Sequence, residues 1–184
     1  MGPLPSARPP WAVGRCTLRS APATALPPHA ALLGRFYDAF ARRDGAAMAA
    51  CYHPEVHFRD EVFDLRGSRA GAMWRMLCAH GEDLDVTVSG ITARDGAGSA
   101  RWVATYTFTQ TGRPVHNEVE AAFTFEDGLI RTHRDRFGFW RWSRQALGAP
   151  GLLFGWAPAL RSAVRRRAAQ QLDRYVQTHP GALG

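Results

Sequence analysis

Between residues 101 and 137 the chain alternates apolar and polar side chains with a period of two, the mark of strands that bury one face. Trp102, Ala104, Tyr106 and Phe108 make an aromatic face. Arg101, Val103, Thr105, Thr107 and Thr109 make a Thr-rich one. TGRP then breaks the run, with Gly112 and Pro114 as turn residues. In the next strand Val115, Asn117, Val119, Ala121, Phe123 and Phe125 share a face, and Asn117 is its one polar member. His116, Glu118, Glu120 and Thr124 share the other.

The turn that follows decides where chemistry can lie. A three-residue loop over EDG pairs Phe125 with Leu129, Ala121 with His133 and Val119 with Asp135. Arg131, His133, Asp135 and Phe137 then continue the apolar face. A two-residue loop over Asp127-Gly128 slips the pairing by one and turns His133 and Asp135 outward. Ile130 and Thr132 are credible inward residues in that case. The three-residue loop is the expectation taken forward. It gathers Tyr106, Asn117, His133 and Asp135 on one concave apolar wall.

Upstream the period changes to that of helices. Leu32, Leu33, Phe36, Tyr37 and Phe40 form one stripe, predicting a helix from about His29 to Arg43. Asp44-Gly45 ends it, and a short helix from Ala46 to Tyr52 follows. His53-Pro54 breaks that helix. Val56, Phe58 and Asp60 then alternate with His57 and Arg59, which points a carboxylate the way two apolar side chains point. Ser68 is the expected N-cap of a third helix whose inner side is Ala72, Met73, Met76 and Leu77. Leu84, Val86 and Val88 open another strand, and Asp95-Gly96 turns it into the central hairpin.

At 184 residues the chain has the length of one domain with a real core. All 23 basic residues are Arg, which reads as genomic base composition, so the net charge of +7 does not call for a nucleic acid partner. Three cysteines without CxxC spacing indicate neither a zinc site nor a disulfide framework, and favour the cytoplasm. Residues 1–28 hold seven prolines and read as a disordered or loosely attached extension.

The order helix, helix, short strand, helix, long antiparallel strands is that of an α+β cone. With LLGRFYDAFARRDGAAMAACYHPEVHF, RGSRAGAMWRML and FEDGLIRTHRDRF it resembles the nuclear transport factor 2-like superfamily, nearest to ketosteroid isomerases and SnoaL-type polyketide cyclases. The resemblance covers residues 29–137. It implies a cone-shaped curved antiparallel sheet wrapped by the N-terminal helices, a pocket between sheet and helices, and often a homodimer formed through the sheet. Asp60 matches the isomerase's aspartate base. Phe36 and Ala121 stand where that enzyme has its two oxyanion donors, which argues against steroid isomerisation by the same route. Asp135 resembles the acid/base aspartate of SnoaL-type cyclases. The central strand lacks the Arg-x-Asp that limonene-epoxide-hydrolase members carry there, which argues against an epoxide-hydrolase reading.

The candidate catalytic residues are therefore Asp60, Asp135 and His133. The candidate substrate-binding residues are Tyr106, Asn117, Phe36, Trp102, Phe108, Val119, Ala121, Phe123 and Phe137. No cofactor or metal is called for, since His57 should face away from His133 and Asp135. The expected ligand is a small apolar carbonyl-bearing molecule, turned over by acid/base chemistry or simply bound.

Residues 138–184 form an added C-terminal helical segment. Residues 138–160 are expected to fold back as a cover, with Trp140, Phe154 or Trp156 narrowing the pocket mouth. The rival is that they form a dimer interface. The basic helix from Leu160 to Gln177 is read as packed on the domain with its charges in solvent; contact of this segment with a membrane surface is the lesser reading.

Overall fold

The computed structural model describes residues 27–183. Expectations for residues 1–26 lie outside them. Helix α1 spans Pro28–Ala41 and buries Leu32, Leu33, Phe36, Tyr37 and Phe40, with Pro28 in its first turn. Asp44 caps the short α2 (Gly45–Ala49), its carboxylate accepting from the Ala47 amide at 2.9 Å. Strand β1 is Tyr52–Arg59, so Tyr52 starts a strand and does not end a helix. β2 is Asp64–Arg66 and α3 is Ser68–His80. Gly67, at φ 57°, is the N-cap of α3 where Ser68 was expected. Leu77, expected inside, is 37% exposed, and Trp74 is buried in its place.

Strands β3 (Asp85–Arg94), β4 (Ala97–Phe108), β5 (Arg113–Glu126) and β6 (Leu129–Arg136) follow. The six strands lie in the order β2-β1-β6-β5-β4-β3. Neighbours run antiparallel except β1 and β6, which are parallel, so the curved sheet of the cone is mixed. Its inner face packs on α1 and α3 in one core containing Phe58, Val119, Ala121, Phe123 and Ile130.

The β5–β6 hairpin departs from the expected pairing in an informative way. Glu126 pairs with Leu129 across a two-residue loop, and Asp127 and Gly128 both take positive φ, as a type I′ turn requires. Phe125 pairs with Ile130, but Thr124 pairs with Thr132. Arg131 is thus an extra residue, a β-bulge. The bulge shifts the pairing by one more position. Phe123 meets His133 and Ala121 meets Asp135, two residues away from the expected register and therefore on the same face. His133 and Asp135 are buried, while Arg131 leaves the apolar face to pair with Glu126 and Glu55.

The C-terminal segment forms α4 (Phe139–Leu147), α5 (Ala149–Phe154) and α6 (Pro158–Thr178), then a 3₁₀ turn at Pro180–Leu183. The start of β5 extends past the end of β6, and α4 covers it: the Gln145 side chain accepts from the His116 amide and donates to the His116 carbonyl. No helix among the described residues is long and apolar enough to cross a membrane.

The bulge yields a test. Deleting Arg131 should turn His133 and Asp135 outward and abolish cooperative unfolding. Arg131→Ala loses ion pairs to the exposed Glu55 and Glu126 and a bond to the Glu55 carbonyl, and should cost about 1 kcal/mol in urea denaturation. A deletion variant with the wild-type midpoint would show that the bulge does not set the register.

Candidate functional site

A cavity of about 390 Å³ opens between the sheet, α3 and α6. Its wall is mostly apolar, and two carboxylates, Asp60 and Asp135, are part of it. Tyr106, Asn117, Trp102, Phe108 and Phe137 also line it, as expected. His133, Phe36, Val119, Ala121 and Phe123 do not. They lie one layer deeper, in the core behind the wall.

That deeper layer holds a chain of hydrogen bonds. Trp74 Nε1 donates to the Tyr52 hydroxyl at 2.6 Å. The Tyr52 hydroxyl and His133 Nδ1 are 2.7 Å apart, and His133 Nε2 and Asp135 Oδ1 are 2.9 Å apart. One arrangement of protons uses every group. The Tyr52 hydroxyl accepts a hydrogen bond from the indole N–H and donates one to Nδ1, and Nε2–H donates to Asp135. Trp102 Nε1 donates to the same Asp135 oxygen at 3.4 Å. Asp135 is thereby an acceptor held from behind by two N–H groups, on the cavity wall.

His133 cannot turn. Phe123 lies 4.3 Å from its ring, Phe58 5.1 Å, Phe36 5.5 Å, and Trp74 stacks on it at 6.0 Å. The same burial pushes the Tyr52 hydroxyl well above the usual tyrosine pKa, with the Trp74 bond opposing the shift. Tyr37 is also raised, by burial first and then by Asp135 and Tyr52. Its hydroxyl has no hydrogen-bond partner among the described residues.

Asp60 is held differently. It follows β1 in a tight turn, accepting from the Val62 amide at 2.7 Å and the Phe63 amide at 2.5 Å. Burial nevertheless pushes its carboxyl up to about 7; the two amides oppose the shift, and Asp135 and Glu61 add to it. Tyr106 accepts from Trp142 Nε1 at 2.9 Å, which leaves its own proton available. His57 lies on the other face, 2.7 Å from Asp64.

The cover is real but built from other residues than expected. Trp142 and Leu147 of α4 and Leu160, Val164, Arg167 and Gln171 of α6 line the cavity. Trp140, Phe154 and Trp156 do not; they are 45%, 56% and 74% exposed. The basic helix therefore lies across the mouth. Arg161 binds Glu61 at 3.0 Å and Arg165 donates to the Glu61 carbonyl at 2.9 Å, next to Asp60. Arg69 binds Asp173 at 2.6 Å, and Leu172 is buried. Tyr52 and Trp74 escaped the sequence reading, and the basic helix, expected as α6 now shows it, was not expected in the cavity wall. Tyr52 sat behind a false helix end, and Trp74 stands beside the assigned stripe of α3.

A half-open cone with carboxylates set in an apolar pocket defines a domain of the nuclear transport factor 2-like kind. The SnoaL-like domain family model matches residues 33–133, more than half of the chain. The chain belongs to that family. No curated protein matches it. Among solved structures it is similar to AclR, a candidate hydroxylase from Streptomyces galilaeus, at 20% identity and a TM-score of 0.55, over 73% of this chain and 97% of that one. It is similar to a candidate polyketide cyclase from Xanthomonas campestris pv. campestris at 22% identity and 0.55, over 65% and 96%. It is similar to an LEH-like epoxide hydrolase from M. tuberculosis at 20% identity and 0.53, over 71% and 96%. At these identities the likeness carries the fold.

Two measurements follow. Asp60 binds its proton more tightly folded than unfolded, so its contribution favours the fold at low pH and is lost as pH rises from about 4 through about 7. Asp60→Asn should flatten that decline in a urea series; an unchanged slope would place the titrating group elsewhere. Tyr52→Phe leaves the Trp74 N–H and His133 Nδ1 without their partner. It should cost about 1–3 kcal/mol for each group, read as a lower urea midpoint.

Proposed function

We propose that this domain carries out cofactor-independent acid/base chemistry on a small, mostly apolar molecule bearing a carbonyl or enol oxygen. The observation that supports this most is the pair of carboxylates on one apolar wall in unlike environments. Asp135 is braced by His133 and Trp102 as an acceptor. Asp60, raised to about 7, is available with its proton near neutral pH. In this reading Asp135 takes a proton from carbon next to the carbonyl, and Asp60 gives one to oxygen or to the rearranged carbon. Tyr106 and Asn117 orient the oxygen from the wall, and α6 keeps water out. His133 is a positioning residue, since it touches Asp135 and not the cavity. Buried free Cys51 and Cys78 suit a reducing, cytoplasmic setting.

A second reading, a binding domain without turnover, draws on Phe36 and Ala121, which leave no donor where an isomerase would stabilise an enolate. One experiment separates the two. Apolar ketones and diketones incubated with the protein in heavy water are followed by NMR for exchange of the α-hydrogens. Wild type should accelerate exchange. Asp135→Asn and Asp60→Asn should each lower it about 10²–10⁴-fold with ligand affinity kept. The Asp60 proton should be needed, so the rate should fall as pH rises through about 7. Binding without exchange in wild type would support the second reading.

A further inference from the structure

The start of α4, the second half of α5 and the turn into α6 present a surface that nothing in the fold covers. Five of the eight large apolar residues exposed among the described residues lie there: Trp140, Leu152, Leu153, Phe154 and Trp156, between 45% and 74% exposed. The packing makes this exposure unavoidable. A Cβ at Gly151 would lie 1.9 Å from the Ser143 carbonyl oxygen, and one at Gly155 2.3 Å from Ser143 Oγ. Helix α5 meets α4 through its glycines, backbone on backbone, so its large side chains have only the outside to occupy. Both indoles are held there with their N–H satisfied. Trp140 Nε1 donates to the Leu152 carbonyl at 3.2 Å and Trp156 Nε1 to the Leu153 carbonyl at 3.0 Å. The rings can therefore enter an apolar phase without an orphaned donor.

Charge is concentrated in the same segment. Residues 138–184 carry seven Arg and one acidic residue, Asp173, in a chain whose net charge is +7. Arg144 lies over the Trp140 ring at 5.2 Å and Arg161 over the Phe139 ring at 4.9 Å, which puts cations at the edge of the apolar surface. Arg166 follows, exposed on α6. Exposed Trp, Leu and Phe ringed by Arg match the boundary of an anionic bilayer, apolar below and negative at the headgroups. A second copy of this chain would bring the same positive charges together.

We propose that this surface docks on anionic phospholipid membranes. Leu152, Leu153, Phe154 and the two tryptophans enter the headgroup boundary, and the arginines meet the lipid phosphates. Because α6 also lines the cavity mouth, docking would set that mouth beside the bilayer, where apolar ligands collect. The proposal stands whether or not the cavity is catalytic.

The full chain is sedimented with vesicles of phosphatidylcholine alone and with about one-third phosphatidylglycerol. Binding is expected to the second only, weakening as salt rises. Leu153→Asp with Phe154→Asp should lower it at least about tenfold, and Arg144→Gln with Arg166→Gln several-fold. These side chains are exposed, and the thermal midpoint of each variant checks that it folds. Brominated lipids give a readout on the unaltered protein, since they should quench its tryptophan fluorescence. Equal sedimentation with both vesicle types, or no quenching, would overturn the proposal. So would a concentration-dependent dimer that the Asp pair disrupts, or binding to duplex DNA that the Asp pair leaves intact without any to vesicles.

Discussion

The bulge at Arg131 is the constraint on which the interior depends. A hairpin with a two-residue turn sets one parity for everything after it, and one extra residue reverses that parity. Without the reversal, Thr132 and Arg134 would face the core, and His133 and Asp135 the solvent. With it, an imidazole and a carboxylate are both buried, at 1% and 3% exposure. Polar groups so placed are costly unless their partners are present. Here each has one: Trp74, Tyr52, His133, Asp135 and Trp102 form a connected series drawn from α3, β1, β6 and β4. One backbone irregularity in β6 thus requires matching residues on three other elements of the chain.

The C-terminal segment completes what the family domain leaves open. The family match ends at residue 133, two positions before Asp135. Beyond it, α4 continues along β5 and supplies Trp142 to Tyr106. Helix α6 then crosses the mouth. Its attachment is mixed: Leu172 is buried firmly, while Arg161, Arg165 and Asp173 hold on through partly exposed pairs. Partly exposed pairs of this sort are worth little each and are exchanged readily. A helix held that way can keep water from Asp60 and still let a ligand past.

Much of this was legible in the residues, and the failures have physical causes. The α1 stripe, the β4 and β5 faces and the inward lean of Asp60 came from periodicity alone, because each repeats over several turns or residue pairs. The cone and its family likeness came from element order. The hairpin reading reached the correct face through a wrong pairing, since two shifts of one residue look the same as none. A bulge has no strong local signature, and Arg131 is an ordinary strand residue by type. Tyr52 was lost because His53-Pro54 reads as a helix stop when it lies within a strand. The lid residues were misplaced for another reason. Apolar content pointed to Trp140, Phe154 and Trp156, but the close glycine contacts of α5 turn those side chains away from the mouth, and glycine contacts across a helix pair cannot be read from one segment.

The two carboxylates show how one wall can hold opposite tendencies. Both sit among apolar side chains, and for Asp60 burial pushes the carboxyl up. What distinguishes them is the direction of their donors. Asp135 is met from behind by side-chain N–H groups on rigid strands, so one oxygen is committed and the carboxylate is fixed toward the cavity. Asp60 is met by two amides of its own turn, and these do not outweigh burial. Asp135 in turn adds its charge to the forces that keep the proton on Asp60. A proton moved from Asp60 to a ligand would leave two negative charges on the same wall. That arrangement is relieved when Asp135 has taken a proton in exchange, so the two transfers favour one another. The acid and base roles of the proposed reaction are therefore coupled through the cavity by charge, without any bond between the two residues.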